Sequence, residues 1–217
     1  AGAMSGMVET EPPTITEKPL IAASMFGNTT QLVDQCRKLL EAQGYEVLVF
    51  HATGTGGKTM ESLIDAGYIN GVLDVTTTEW ADELVGGVLS AGPGRLEAAA
   101  RAGVPQVVSL GALDMVNFGP FDSVPEKFRG RNLYKHNATV TLMRTTPEEC
   151  AKLGGIIAEK LNRATGPCAV FVPRNGISMI ATAGQPFHDP VADQVLFAAL
   201  KAALRPDIAL YEFDTDI

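Results

Sequence analysis

Strand-like and helix-like segments alternate without a break through the first third of this chain, and that rhythm constrains its fold more than any other feature. Lys18-Pro-Leu-Ile-Ala-Ala-Ser-Met25 is a short apolar run that stops at Phe26-Gly27-Asn28. Leu32, Val33, Cys36, Leu39 and Leu40 then recur at helical spacing, and Gly44 stands where helices commonly end. Tyr45 to Phe50 reads as a second strand, a glycine-rich loop runs from Thr53 to Gly57, and a helix is predicted from about Lys58 to Ala66. Gly71 to Val75 is a third strand. Such alternation implies right-handed crossovers and an open, mainly parallel sheet with helices on both faces, a three-layer, Rossmann-like α/β fold.

The rhythm loosens further on. Helices are predicted over Thr78–Leu84 and Arg95–Ala102, with a strand from Val104 to Leu110. Residues 111–136 carry glycines and prolines with no period, and a loop of that length inside a domain is usually functional. Ala138 to Met143 reads as a strand. Thr146, Pro147 and Glu149 form an N-terminal helix signature ahead of Leu153, Ile156, Ile157 and Leu161. A strand from Cys168 to Pro173, a helix opening at Asp189-Pro190 and a strand from Ile208 to Phe213 complete the chain.

Residues 1–17 look like a tag remnant and disordered lead-in, and 18–217 like a single domain. The chain's start and its end at Ile217 suggest a piece of a longer, two-domain protein. The net charge of −8 argues against non-specific nucleic-acid binding. No apolar run approaches the roughly 18 residues that span a bilayer. Cys36, Cys150 and Cys168 match no metal spacing and read as buried thiols in a reducing, cytoplasmic compartment.

In open parallel sheets, ligands bind at the carboxyl ends of strands. The segments that follow the strands are rich in hydroxyls, amides and glycine. Ala52 to Thr59 fits a relaxed phosphate-loop pattern, in which the amides around Thr53, Gly54, Gly56 and Gly57 would cradle an anion and Lys58 would neutralise it. A tight turn explains the same glycines. Phe26, Gly27, Asn28, Thr29 and Thr30 open a helix, where capping and anion binding use the same free N–H groups. Thr76, Thr77, Thr78 and Glu79 carry more polar groups than a cap requires. Gly111, Asp114 and Asn117 lie in the apolar loop after the fourth strand, where a carboxylate can orient a ligand, act as a base or tie down the loop. Arg144 is a candidate anion clamp. His136, Asp114 and Glu79 are the candidates for proton transfer, and His51 and His188 have less polar surroundings. No metal-ligand motif stands out.

Six stretches together resemble a known family. They are Met25–Thr30, Glu46–Gly54, Gly71–Glu79, Gly111–Pro120, Arg131–Leu133 and Leu142–Thr146. In this order they resemble the ATP-binding family that includes the tomato mosaic virus resistance protein, from about residue 19 to the end. The resemblance implies two α/β halves, of which this chain is similar to the second. It implies ATP with magnesium as a ligand, and a link to metabolism through relatives joined to a barrel domain similar to phosphoenolpyruvate hydrolases. It departs at Lys58-Thr59, so the glycine-rich turn is the shared feature rather than the full phosphate-loop pattern. Three functions follow as expectations: a nucleotide- or small-anion-binding domain, half of an enzyme acting on a small carboxylate or phosphorylated acid, or an interaction module. The expected partners are an anionic small molecule, the missing N-terminal half and a second copy in a homodimer, with neither nucleic acid nor membrane.

Overall fold

The computed structural model describes residues 2–10 and 18–217. Gly2–Glu9 form a helix (α1) rather than an irregular lead-in, but none of its residues is buried. The rest of the lead-in lies outside the described residues.

From Leu20 onward the alternation becomes β1 (Leu20–Met25), α2 (Thr30–Ala42), β2 (Glu46–His51), α3 (Thr55–Asp65) and β3 (Gly71–Thr76). There follow α4 (Glu79–Val85), α5 (Ala98–Ala102), β4 (Gln106–Gly111), β5 (Met115–Phe118), β6 (Leu133–Lys135) and β7 (Thr141–Arg144). The chain closes with α6 (Pro147–Leu161), β8 (Cys168–Pro173), α7 (Pro190–Ala203) and β9 (Ala209–Phe213). Six strands make one sheet in the order β2-β1-β3-β4-β8-β9, and every pairing in it is parallel. Helices lie on both faces, as the sequence implies.

The strand order decides where those helices go. A right-handed crossover places its helix on one face when the chain moves one way along the sheet and on the other face when it moves back. Only β1 to β2 moves toward the β2 edge. Accordingly α2 alone covers one face, against Ala23, Val47 and Val75. On the opposite face α3 and α5 cover Ala22 and Val72. Helices α6 and α7 cover Val108, Val170 and Val172 on that same face, in the largest cluster of the core.

The segment predicted as a loop holds two strands, β5 and β6, and these join β7, which falls on the strand predicted from Ala138 to Met143, in a second, antiparallel sheet in the order β5-β7-β6. Strands β5 and β6 are four and three residues long, too short to show a period. Every residue of β5 and β7 is buried, so this sheet is a cap wedged against the carboxyl ends of the parallel strands. Two helix boundaries also differ from expectation. Helix α3 begins at Thr55, inside the glycine-rich loop. Helix α5 begins only at Ala98, because Leu96 has φ 70, which no helix accommodates.

The α6 signature forms as read. Thr146 Oγ1 accepts from the Glu149 amide at 3.2 Å, and Glu149 Oε2 accepts from the Thr146 amide at 2.8 Å. Thr146→Ala is expected to cost about 1 kcal/mol. Ile157→Ala, in the fully buried stripe of the same helix, is expected to cost about 2–5 kcal/mol. Urea unfolding of both variants checks the ranking.

Candidate functional site

The order β2-β1-β3 reverses the direction of travel at β1, and the crevice above such a reversal is where doubly wound sheets hold ligands. Loops after β1, β2 and β3 meet there, beneath the antiparallel cap. Two structures occupy the region: a buried ion cluster and a cavity.

The cluster is built on Arg95, 1% exposed. Its Nη1 and Nη2 both donate to Asp74, Nη2 at 2.6 Å, and its Nε donates to Glu79 Oε2 at 2.7 Å. Nη1 also reaches Glu61 Oε1 at 3.2 Å. Glu61 in turn accepts from the Leu96 and Ala98 amides, both at 2.7 Å. Three carboxylates thus converge on one guanidinium. Burial opposes the charge on Arg95, but Asp74, Glu79 and Glu61 outweigh it and push its pKa up. Burial raises the pKa of Glu79, and Arg95 only partly offsets this.

Glu79 also answers the question of the glycine-rich turn. Its Oε1 accepts from the Gly54 amide at 2.7 Å and the Gly57 amide at 3.1 Å. Gly54 has φ +84, and a Cβ on Gly57 would lie 2.2 Å from Glu79 Oε2. Glycine is needed here so that an internal carboxylate can sit against the turn. Lys58 is exposed on the first turn of α3.

Most of the hydroxyls singled out in the sequence are satisfied within the fold. Thr29 and Thr76 share a hydrogen bond at 2.7 Å, Thr77 donates to the Ser109 carbonyl at 3.1 Å, and Thr78 donates to that of Met115 at 3.4 Å. Thr30 donates to the Phe26 carbonyl at 3.2 Å. Gly111 is buried against Val75, and Gly56 against the His51 carbonyl. Arg144 is buried and spends its guanidinium on Asp193 at 2.6 Å, the Phe187 carbonyl at 2.9 Å and Thr145 at 3.0 Å. Asp114 is fully buried and accepts from Ser178 at 2.7 Å, and burial pushes its pKa up to about 6.

The remaining candidates come together. Phe26, Gly27, Asn28, Thr53, Asn117 and His136 line one cavity of about 520 Å³. His51, Leu89, Asn137, Val140, Leu142 and Met179 complete its wall. The rings of Phe26 and His51 lie 5.8 Å apart at its edge. No carboxylate is among these lining residues, although the chain carries 25 Asp and Glu. Two of its three histidines are there, with three asparagines. Beneath the cavity floor, Asp82 is fully buried. Asn117 donates to it from Nδ2 at 2.7 Å and from its backbone amide at 3.0 Å. Asn117 Oδ1 is buried with no partner. Burial pushes the Asp82 pKa up to about 7. Among the described residues, no group of three His, Cys, Asp or Glu is placed to hold a metal ion, and no helix is long and apolar enough to cross a membrane.

The residues matched over 18–217 are those of the "Uncharacterised protein family (UPF0261) C-terminal domain". The chain belongs to this family. A UPF0261 protein of Clostridium tetani is 57% identical over 219 residues, which is 100% of this chain and 54% of that protein. A UPF0261 protein of Rhizobium meliloti is 48% identical, over 94% of this chain and 51% of its own length. The ToMV resistance protein Tm-1 of Solanum lycopersicum is 44% identical, over 94% of this chain and 27% of its own length. This UPF0261 domain therefore spans about half the length of the bacterial relatives.

Arg95, Asp82 and His51 were not marked by sequence motifs. Asp74 inside the apolar run Gly71–Val75 was the one available signal, since a carboxylate in a central strand needs a buried partner. Arg95→Ala leaves three converging carboxylates without their cation and is expected to cost about 3–5 kcal/mol at pH 7. The loss should shrink as the pH falls, because burial raises the Glu79 pKa and favours its neutral form. Glu79, Asp82 and Asp114 all hold protons more tightly folded than unfolded. For Asp82 and Asp114 this contribution is complete below an unfolded pKa of about 4 and is lost as pH rises through about 6 to 7, and Glu79 acts in the same direction. The urea midpoint should therefore be higher at pH 5.5 than at pH 8, with a smaller difference in Asp82→Asn.

Proposed function

We propose that this UPF0261 domain binds a small organic anion, a carboxylate or phosphorylated acid, in the cavity between the β1 and β2 loops and the antiparallel cap. The observation that carries this reading is the composition of the wall. An acidic chain keeps carboxylates out of one cavity of ligand size and sets two imidazoles and three carboxamides into its otherwise largely apolar wall. Phosphates cradled by Gly54 and Gly57 would have to displace Glu79 from those amides and leave Arg95 short of a partner. The residues therefore do not fit a phosphate loop, and this argues for the cavity over the glycine-rich turn. His51 and His136 are the groups at its wall able to exchange a proton with a ligand.

Asn117 links the cavity to pH. With Asp82 ionised, the Asn117 Nδ2 points at the carboxylate and its unpaired Oδ1 points away. When Asp82 takes a proton, a half-turn of the carboxamide lets Oδ1 accept that proton and frees Nδ2 as a donor. A bound anion that reaches this buried position gains a donor from the second arrangement.

A thermal-shift screen of small carboxylates and phosphorylated acids, with MgATP as a separate arm, tests the proposal. Stabilisation by acids is expected to be larger at pH 6 than at pH 8 and to be lost in His51→Leu and Asn117→Leu. In Asp82→Asn the pH dependence should be reduced. A shift with MgATP alone, lost in Gly57→Val and untouched by Asn117→Leu, would move the site to the glycine-rich turn.

A further inference from the structure

Parallel sheets of this class are buried on both faces, because their crossovers cover both. Here one half-face carries no helix among the described residues, and the tail Thr215–Ile217 crosses its upper end. The register aligns Leu73, Val107, Ala169 and Ala209 across the sheet, and Ser109, Phe171 and Tyr211 in the next row. The opposite sides of β4 and β8 are covered by α6 and α7. Among the described residues the only helix on this side is α2, which reaches no further than β3. Phe171, Tyr211 and Phe213 are left 37%, 50% and 46% exposed. They pack on each other edge to face, with Phe171 5.3 Å from Tyr211 and 5.5 Å from Phe213.

Beside them runs an apolar groove. Its lower part, about 340 Å³, lies over the amino ends of the strands, between Ile21, Leu73, Val107, Ala169 and Leu40 of α2. Its upper part, about 210 Å³, shares Leu73, reaches Phe171 and Phe213 and is closed at its far end by the tail Thr215–Ile217. Leu32, Cys36 and Leu40 recur every four residues along α2 and form one wall. Floor and wall are in place for a helix beside α2, and none of this chain's described helices lies there.

We propose that this half-face is the docking surface for the N-terminal half of the full-length protein, which seats a helix on Phe171, Tyr211 and Phe213 beside α2. The matched family is a C-terminal domain, and the bacterial relatives are about twice as long as the matched region. The match begins at residue 18, two residues before β1, and Ile21 of β1 lines the lower groove. The preceding half is thus tethered at the mouth of the groove, where a short connection gives a high effective concentration. The topology supplies the reason for the vacancy: after β2 every crossover moves the same way along the sheet, so no later helix of this domain can return to this face.

Hydroxyl-radical footprinting, read by mass spectrometry, compares this chain with the full-length protein that carries it. Tyr211 should be protected about fivefold in the full-length protein, the ratio between half exposure and that of a core side chain. Phe171 and Phe213 should be protected with it, while Tyr68, 63% exposed between α3 and β3, should not change. Phe171→Asp combined with Tyr211→Asp should return Phe213 in the full-length protein to the rate of the isolated chain. Both positions are solvent-facing, so the circular dichroism of the isolated double variant should match that of the parent. Equal labelling of the two parent proteins would overturn the proposal. So would protection that the double variant fails to relieve, or protection of the isolated chain that grows with its concentration, which would assign the face to a second copy.

Discussion

The guanidinium of Arg95 is the point on which the upper end of the sheet depends. It joins Asp74 of β3, Glu79 at the start of α4 and Glu61 of α3 in a place that water does not reach. Buried carboxylates are tolerated only where a cation and hydrogen bonds replace the lost hydration. Through Glu79 the cluster pins the Gly54 and Gly57 amides, and so sets where α3 starts. Through Glu61 it holds the Leu96 and Ala98 amides, and so sets where α5 starts. Three helices, α3, α4 and α5, in the two crossovers that flank β3 are thereby fixed by one side chain.

With that corner rigid, the cavity has firm walls on the parallel-sheet side. The other wall is the antiparallel cap, whose Asn117 is tied to Asp82 on α4. The two buried carboxylates of α4 divide the work. Glu79 closes the glycine-rich turn and Asp82 orients the amide at the cavity floor. Both are strained electrostatically by burial, and only Glu79 has a cation to offset it. This leaves Asp82 as the group that titrates near neutrality, next to the one cavity-lining side chain with an unpaired buried atom.

The alternation of apolar runs and helical stripes made the parallel sheet legible from residues 18–75 alone, because parallel strands are buried on both faces and read as continuous apolar runs. The α6 cap was legible to the residue, since a capping box is a local arrangement of four neighbours. Of the antiparallel cap only β7 was legible, as the strand from Ala138 to Met143; β5 and β6 are too short to carry a period and pair with it across gaps in the chain. The polar loops gather at one end of the sheet, where Phe26, Gly27, Asn28, Thr53, Asn117 and His136 line one cavity. The sequence could not separate these from Thr76, Thr77, Thr78 and Arg144, which have the same chemistry but spend it on internal partners.

Sequence by itself determined the layers of this protein, for periodicity and turn chemistry are local and survive without knowledge of contacts. Tertiary structure alone decided what each polar group faces. A glycine-rich turn can cradle a ligand's phosphate or the chain's own carboxylate, with the same residues and the same amides. Which of the two it holds depends on a glutamate twenty-two residues beyond Gly57 and on the arginine that anchors it.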